Sequence, residues 1–222
     1  MGVNKINSTM INFIIKRKNI FLAGLLILTA VTASRMTAGF DIAVIKLVQS
    51  FPAAGFDYLS LFFTILGSGE VTGVITAALA AFLFWRGSRR AAFYLLLFFG
   101  LSVAIELTMK FSVPQPKVFS EFRRGLKLPI AVYSPFTPFA YPSGHATRSV
   151  ILTIIFFYAA HFKLSGGLIK KAAKAALIIL CSLMLISRIY EGSHWPMDVL
   201  GGICLGAYLA AHIAIQFQKD NF

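Results

Sequence analysis

Residues 175–217 read AALIILCSLMLISRIYEGSHWPMDVLGGICLGAYLAAHIAIQF. Two apolar runs, 175–188 and 197–217, flank a short polar segment that holds Ser187, Arg188, His194 and Asp198. The hydrocarbon core of a bilayer takes ~20 helical residues, or fewer where flanking Lys and Arg snorkel. Both runs read as membrane-spanning helices, the first of them short unless it begins near Leu168. The residues between them then sit together at one membrane face.

The rest of the chain follows the same pattern. Of the 222 residues 58% are hydrophobic and only 13% charged, with a mean hydropathy of +0.78. A soluble domain of this size needs more polar surface than that. Further spans are predicted over 19–37, 71–85, 91–111 and 145–162, which makes six. The first has a competitor: Lys16, Arg17 and Lys18 precede an apolar run that ends in Ala-Val-Thr-Ala at 30–33, the form of a cleavable secretory signal. The length of that run favours a span. Residues 40–69 are apolar but interrupted by Asp41, Lys46, Pro52 and Asp57, and read as two short helices lying in the interface. No repeat or linker divides the chain. The expectation is an all-α, integral membrane six-helix bundle forming one domain, residues 1–222, with short interfacial helices between the first and second spans.

Charge sets the orientation. With a cytoplasmic N-terminus, the inner segments hold Lys5, Lys16, Arg17, Lys18, Arg86, Arg89, Arg90, Lys163, Lys170, Lys171, Lys174 and Lys219, against one acid, Asp220. The inside then carries +11 of the net +13. The positive-inside bias accounts for most of the basicity, so nucleic acid is not needed as a partner. Cys181 and Cys204 each lie in an apolar run and read as small apolar filler.

Ionisable residues at span ends need a partner or a function. In the six-span topology the third span ends at Lys110, the fourth begins at Pro142-Ser143-Gly144-His145, the fifth ends at Ser187-Arg188, and the sixth begins near His194-Trp195-Pro196-Met197-Asp198. Topology thus brings Lys, Ser, His, Arg, His and Asp from four stretches to one level. The chemistry suits an anion. Ser143 is a natural N-cap, and the amides of Ser143, Gly144 and His145 would point out of the helix end, where the dipole adds positive potential. Pro196 suits the first turn of the sixth span, so a second helix N-terminus is expected to face the same spot. Lys110 and Arg188 add full charges, and Arg offers the planar fork that matches phosphate. One imidazole can attack phosphorus, a second can protonate the leaving oxygen, and a carboxylate can orient the first. Pro196 makes a continuous helix from His194 to Asp198 doubtful, so the expectation is nearness and not one helical turn.

These residues resemble the type 2 phosphatidic acid phosphatase superfamily, in its membrane lipid phosphatase branch. Its motifs are Lys-x6-Arg-Pro, Pro-Ser-Gly-His and Ser-Arg-x5-His-x3-Asp. The second stands whole at 142–145 and the third whole from Ser187 to Asp198. The first departs: Lys110 fits, but Lys117 and Val118 stand where the family has Arg and Pro. Lys117 keeps the charge and loses the fork, and Arg123 and Arg124 are nearby candidates for the role. The resemblance implies that His194 is the nucleophile, Asp198 its orienting partner and His145 the general acid. It implies Lys110, Lys117, Ser143, Gly144 and Arg188 as phosphate ligands. It implies no metal and no cofactor. The expected function is a hydrolase acting on a phosphomonoester or diphosphate of a lipid, at the outer face of a bacterial inner membrane, with both termini cytoplasmic. Candidate substrates are undecaprenyl diphosphate, phosphatidate, phosphatidylglycerol phosphate and a lipid A phosphate.

Other readings use the same residues. A phosphotransferase would pass the phosphoryl group to a second lipid. A transporter predicts mid-membrane ionisable residues and paired broken helices, and neither is seen in the sequence. A metal site on His145, His194 and Asp198 predicts loss of activity on chelation. His161 and His212 read as interfacial, and Glu70 as a helix-end carboxylate. Glu106 lies four residues before Lys110 and either steadies it or is a simple pair. Arg148, one turn after Gly144, reaches the phosphate or a loop. Arg123, Arg124 and Lys127 form an outer basic loop for anionic head groups or solvent.

Overall fold

The structure, a computed structural model, describes residues 9–51, 54–124 and 136–220. Lys5, Pro52 and Lys127 lie outside the described residues. Among the described residues there are nine α-helices and no strand. They are α1 (Thr9–Lys16), α2 (Lys18–Ala33), α3 (Ala38–Gln49), α4 (Ala54–Leu66), α5 (Gly69–Trp85), α6 (Arg89–Ser112), α7 (Gly144–Lys163), α8 (Gly167–Tyr190) and α9 (Pro196–Lys219). A single 3-10 turn, Ser120–Phe122, lies between α6 and α7.

All six expected spans are helical, and two of their boundaries have a physical cause. The fifth begins at Gly167, at the earlier of the two starts the sequence allows (near Leu168), because Lys170, Lys171 and Lys174 end the apolar run without ending the helix. Lysine is a good helix former, and its stem follows the apolar surface. The first ends at Ala33, where Arg35 turns the chain in a left-handed conformation (φ 58°). The region 40–69 holds two short helices, α3 and α4, as its interruptions predict. Sequence reading missed α1, whose Ile11 and Ile14 are buried against the bundle.

By length and composition, α6, α8 and α9 can each cross a membrane. Two bent pairs qualify together: α2 with α3, bent by 101°, and the stretch Gly55–Leu66 with α5, bent by 53°. Helix α7 is not among them, for a physical reason. It carries buried Thr147, Arg148 and Ser149 and faces protein on most of its surface, so it lacks the uniform apolar coat of a lipid-facing helix. The six-span count is therefore not given by hydropathy alone.

Helix α7 lies along α9, and glycine makes the approach possible. A Cβ on Gly202 would stand 2.5 Å from the Ser143 carbonyl oxygen, and one on Gly206 would stand 2.6 Å from that of Thr147. Small residues four apart let two helix backbones meet in a membrane. The bundle has two poles. At one, the Ala91 amide at the start of α6 donates to Asp220 Oδ2 past the end of α9, at 2.8 Å. At the other, the Ser143 amide donates to the Asp198 carbonyl at 2.9 Å and joins the first turns of α7 and α9. The polar motif residues collect at this second pole.

Candidate active site

His194 lies in the turn between α8 and α9, and Asp198 lies in the first turn of α9. Pro196 is the first residue of α9, so the four-residue spacing is a turn followed by a helix start, as its position predicts. The His194 Nδ1 stands 3.3 Å from Asp198 Oδ2. The same oxygen accepts the Trp195 amide at 3.0 Å, so one carboxylate both caps α9 and orients the imidazole. Asp198 is fully buried, and its Oδ1 has no partner among the described residues. With Nδ1 held, Nε2 is the free nitrogen. Burial, reinforced by the charges of Lys110 and Arg188, holds the His194 imidazole well below its ordinary pKa and so favours its neutral form.

Ser143 caps α7, its hydroxyl accepting the Ala146 amide at 3.4 Å. Its own amide is spent on Asp198, so of the three amides expected to point outward, those of Gly144 and His145 remain without a recorded acceptor among the described residues. Two amides of the expected second helix end are taken. Asp41 of α3, buried, accepts the Met197 amide at 3.0 Å through Oδ1 and the Gln115 side chain at 3.1 Å through Oδ2. With Trp195 held by Asp198, the Trp195 and Met197 amides at the start of α9 are both taken by carboxylates within the protein.

Arg188 is 1% exposed at the end of α8. Its Nη2 reaches Thr64 Oγ1 at 2.6 Å and Glu191 Oε1 at 3.1 Å, and the Thr64 hydroxyl stands 2.7 Å from the same Glu191 oxygen. The Thr64 carbonyl, 3.2 Å from His145 Nε2, fixes the proton on that nitrogen, because a carbonyl can only accept. Nδ1 of His145 is then the nitrogen left to exchange a proton. Thr64, at the site-facing end of α4, thus aligns the arginine and one histidine. Burial pushes the Glu191 carboxyl up in pKa, and Arg188 beside it pulls the other way. Sequence reading missed Thr64, Glu191 and Asp41. Glu191 lies inside the Ser-Arg-x5-His spacing, and that placement was its only signal.

Lys110 reaches the site from α6, its Nζ 2.7 Å from Glu106 Oε1. Glu106 also takes Arg148 Nη1 at 2.6 Å, and its carboxylate lies against Gly144, where a Cβ would collide with it. Glu106 therefore joins α6 to α7, and the pairing with Lys110 is part of a buried bridge. Lys110, Ser143, Gly144, His145, Arg188, His194 and Asp198 are thus tied into one pole of the bundle. Lys117 is exposed, with its ammonium 5.4 Å from the Phe136 ring centroid, and no bond joins it to the others among the described residues. Arg123 donates to the Val118 carbonyl at 3.1 Å. Arg124 pairs with Asp57 at 3.3 Å and lies over the Tyr190 ring at 4.3 Å.

The PAP2 superfamily model matches residues 91–222. The undecaprenyl-diphosphatase of Sulfolobus acidocaldarius is 25% identical over 186 residues, 82% of this chain and 81% of that protein. The lipid A 1-phosphatase of Rhizobium johnstonii is 28% identical over 142 residues, 64% of this chain and 52% of that protein. In fold, the chain is similar to the transmembrane PAP2-type phosphatidylglycerolphosphate phosphatase of Bacillus subtilis. The TM-score is 0.70 at 22% identity, covering 91% of this chain and 96% of that one.

Proposed function

The chain belongs to the PAP2 superfamily, and on that footing we propose that it removes phosphate from a membrane lipid through a phosphohistidine formed on His194. It is an integral membrane hydrolase that acts on a phosphate ester or anhydride of a lipid. The observation that carries the mechanism is the His194 Nδ1 to Asp198 Oδ2 contact of 3.3 Å. It leaves Nε2 as the attacking atom and places a carboxylate where the imidazolium charge develops.

In the first step the Nε2 lone pair attacks phosphorus, the bond to the leaving oxygen breaks, and His145, which enters the step doubly protonated beside the bound phosphate, gives that oxygen its Nδ1 proton. In the second step His145 takes a proton from water, the water oxygen bonds to phosphorus, and the P–N bond breaks to release phosphate. Lys110, Arg188 and the open amides of Gly144 and His145 meet the charge on the equatorial oxygens. Lys117 is the proposed ligand at the rim, where an ammonium can greet a second phosphate or a head group. The S. acidocaldarius relative supports a polyprenyl diphosphate as the first substrate to test; phosphatidate, phosphatidylglycerol phosphate and a lipid A phosphate follow. Six crossings, by α2, α5, α6, α7, α8 and α9, would put both termini in the cytoplasm of a bacterial cell and the site at the outer face. α3 and α4 would then lie in the interface of this single domain.

The test is phosphate release by the detergent-purified protein from that lipid panel, with a chelator present. Wild type is expected to release phosphate, and His194→Ala to lose at least about 10³-fold while melting at the same temperature. Undiminished turnover by His194→Ala would overturn the phosphohistidine, and loss of wild-type activity on chelation would reinstate the metal reading.

A further inference from the structure

One more guanidinium reaches this pole than the motifs assign. Arg148 lies one turn into α7 and is 8% exposed. Its Nη1 is held by Glu106, which holds Lys110 with its other oxygen. Glu106 is itself buried and presses on Gly144, so an ammonium and a guanidinium are pinned side by side at the open end of α7. The Nε of Arg148 is buried and has no acceptor among the described residues. An unpaired N–H on a buried cation costs stability, and a dianion that visits the site would supply the missing partner. The other arginines near the departed first motif are engaged elsewhere: Arg123 with a backbone carbonyl, and Arg124 with Asp57 and Tyr190.

We propose that Arg148 is a further phosphate-binding residue of this site, and that Glu106 is the positioning residue that holds Arg148 and Lys110 at the mouth of α7. The inference rests on the phosphatase reading above. Its chemistry is the planar fork, which a lysine cannot reproduce. The guanidinium comes from α7 itself, while Lys117, which stands at the motif position, is exposed on the loop after α6. Arg148 thereby supplies the bidentate contact that the sequence loses there.

The experiment compares wild type, Arg148→Lys and Glu106→Gln as full-length protein in detergent. It reads KM and kcat on the best lipid phosphate, inhibition by orthovanadate, orthovanadate binding by thermal shift, and melting temperature. Arg148→Lys is expected to raise both KM and the orthovanadate inhibition constant about tenfold or more, with the melting temperature little changed. Glu106→Gln is expected to move the same two constants in the same direction by a smaller factor. Should Arg148→Lys fail to fold, Glu106→Gln decides alone. Unchanged constants in the folded variants overturn the proposal, as does a fall in melting temperature as their only effect. A wild type that binds no orthovanadate overturns both this proposal and the phosphatase reading. A wild type that binds orthovanadate but releases no phosphate refutes hydrolysis on the panel, and the variants' orthovanadate affinity still decides the role of Arg148.

Discussion

The proposed nucleophile, His194, can attack only while its imidazole is neutral, and the groups around it favour that form. Burial comes first among the causes, then the positive charges of Lys110 and Arg188. Both disfavour the imidazolium, so a falling pH protonates the buried ring later than a free histidine. Replacing Lys110 with Met removes one repelling charge, which moves the His194 pKa upward. The acid limb of the kcat/KM profile is therefore expected to shift to higher pH in Lys110→Met, on top of a loss of about 10²-fold from the missing phosphate contact. A profile whose acid limb stays in place would show that Lys110 does not act on His194. The motif residues were legible because each sits at a fixed spacing from the next. Thr64 and Asp41 were not, because their roles come from hydrogen bonds between segments far apart in sequence; Glu191, three residues after Arg188, stands at a position the motif leaves unspecified. Thr64 is tied to Arg188 and His145 across such a gap, and a lone threonine in an apolar run carries no signal of that.

At the level of elements, the site depends on how closely α7 approaches α9. Gly202 lies under Ser143, and the Ser143 amide is bonded to the Asp198 carbonyl. A methyl group there would stand 2.5 Å from a backbone oxygen and 2.8 Å from Ala146 Cβ, so the start of α7 must shift. A displacement of ~1 Å at a catalytic constellation costs about 10²-fold in rate. Gly202→Ala is expected to lose about that much kcat. Gly100→Ala on α6, where a Cβ meets nothing within 4 Å, is expected to keep wild-type activity. Equal activity in the two variants, measured by phosphate release, would detach the helix contact from catalysis. The helices themselves were legible from apolar length, but two features were not. Lysines left the start of α8 open between Leu168 and Ala175, because charge ends an apolar run while leaving helix propensity intact. The N-terminus of α9 has the proline of an open helix start, yet Asp41 of α3 takes its Met197 amide, and only the packing of α3 on the bundle brings that carboxylate there.

For the whole molecule, charge and function divide between the two poles. The inner segments of the six-span reading carry twelve Lys and Arg against one acid, and the residues proposed to handle phosphate collect at the other end. Lys and Arg retained in the cytoplasm orient the bundle, so the catalytic pole is expected to face outward. The weakest link is α7, whose buried Arg148 and polar neighbours keep it below the hydropathy of a lipid-facing span. Ser120 and Ser165 are both exposed, and among the described residues α7 is the only α-helix between them. With Cys181 and Cys204 replaced by Ala, a cysteine at each position can be probed in intact cells with a membrane-impermeant thiol reagent. The Ser120→Cys variant is expected to label, and the Ser165→Cys variant only after the cells are opened. Labelling of both in intact cells would mean that α7 does not cross, and the six-span topology would fall. The reverse pattern would keep the crossing but turn the site to the cytoplasm. The enzyme would then draw its lipid phosphates from the inner leaflet, and the charge bias would have failed as its guide.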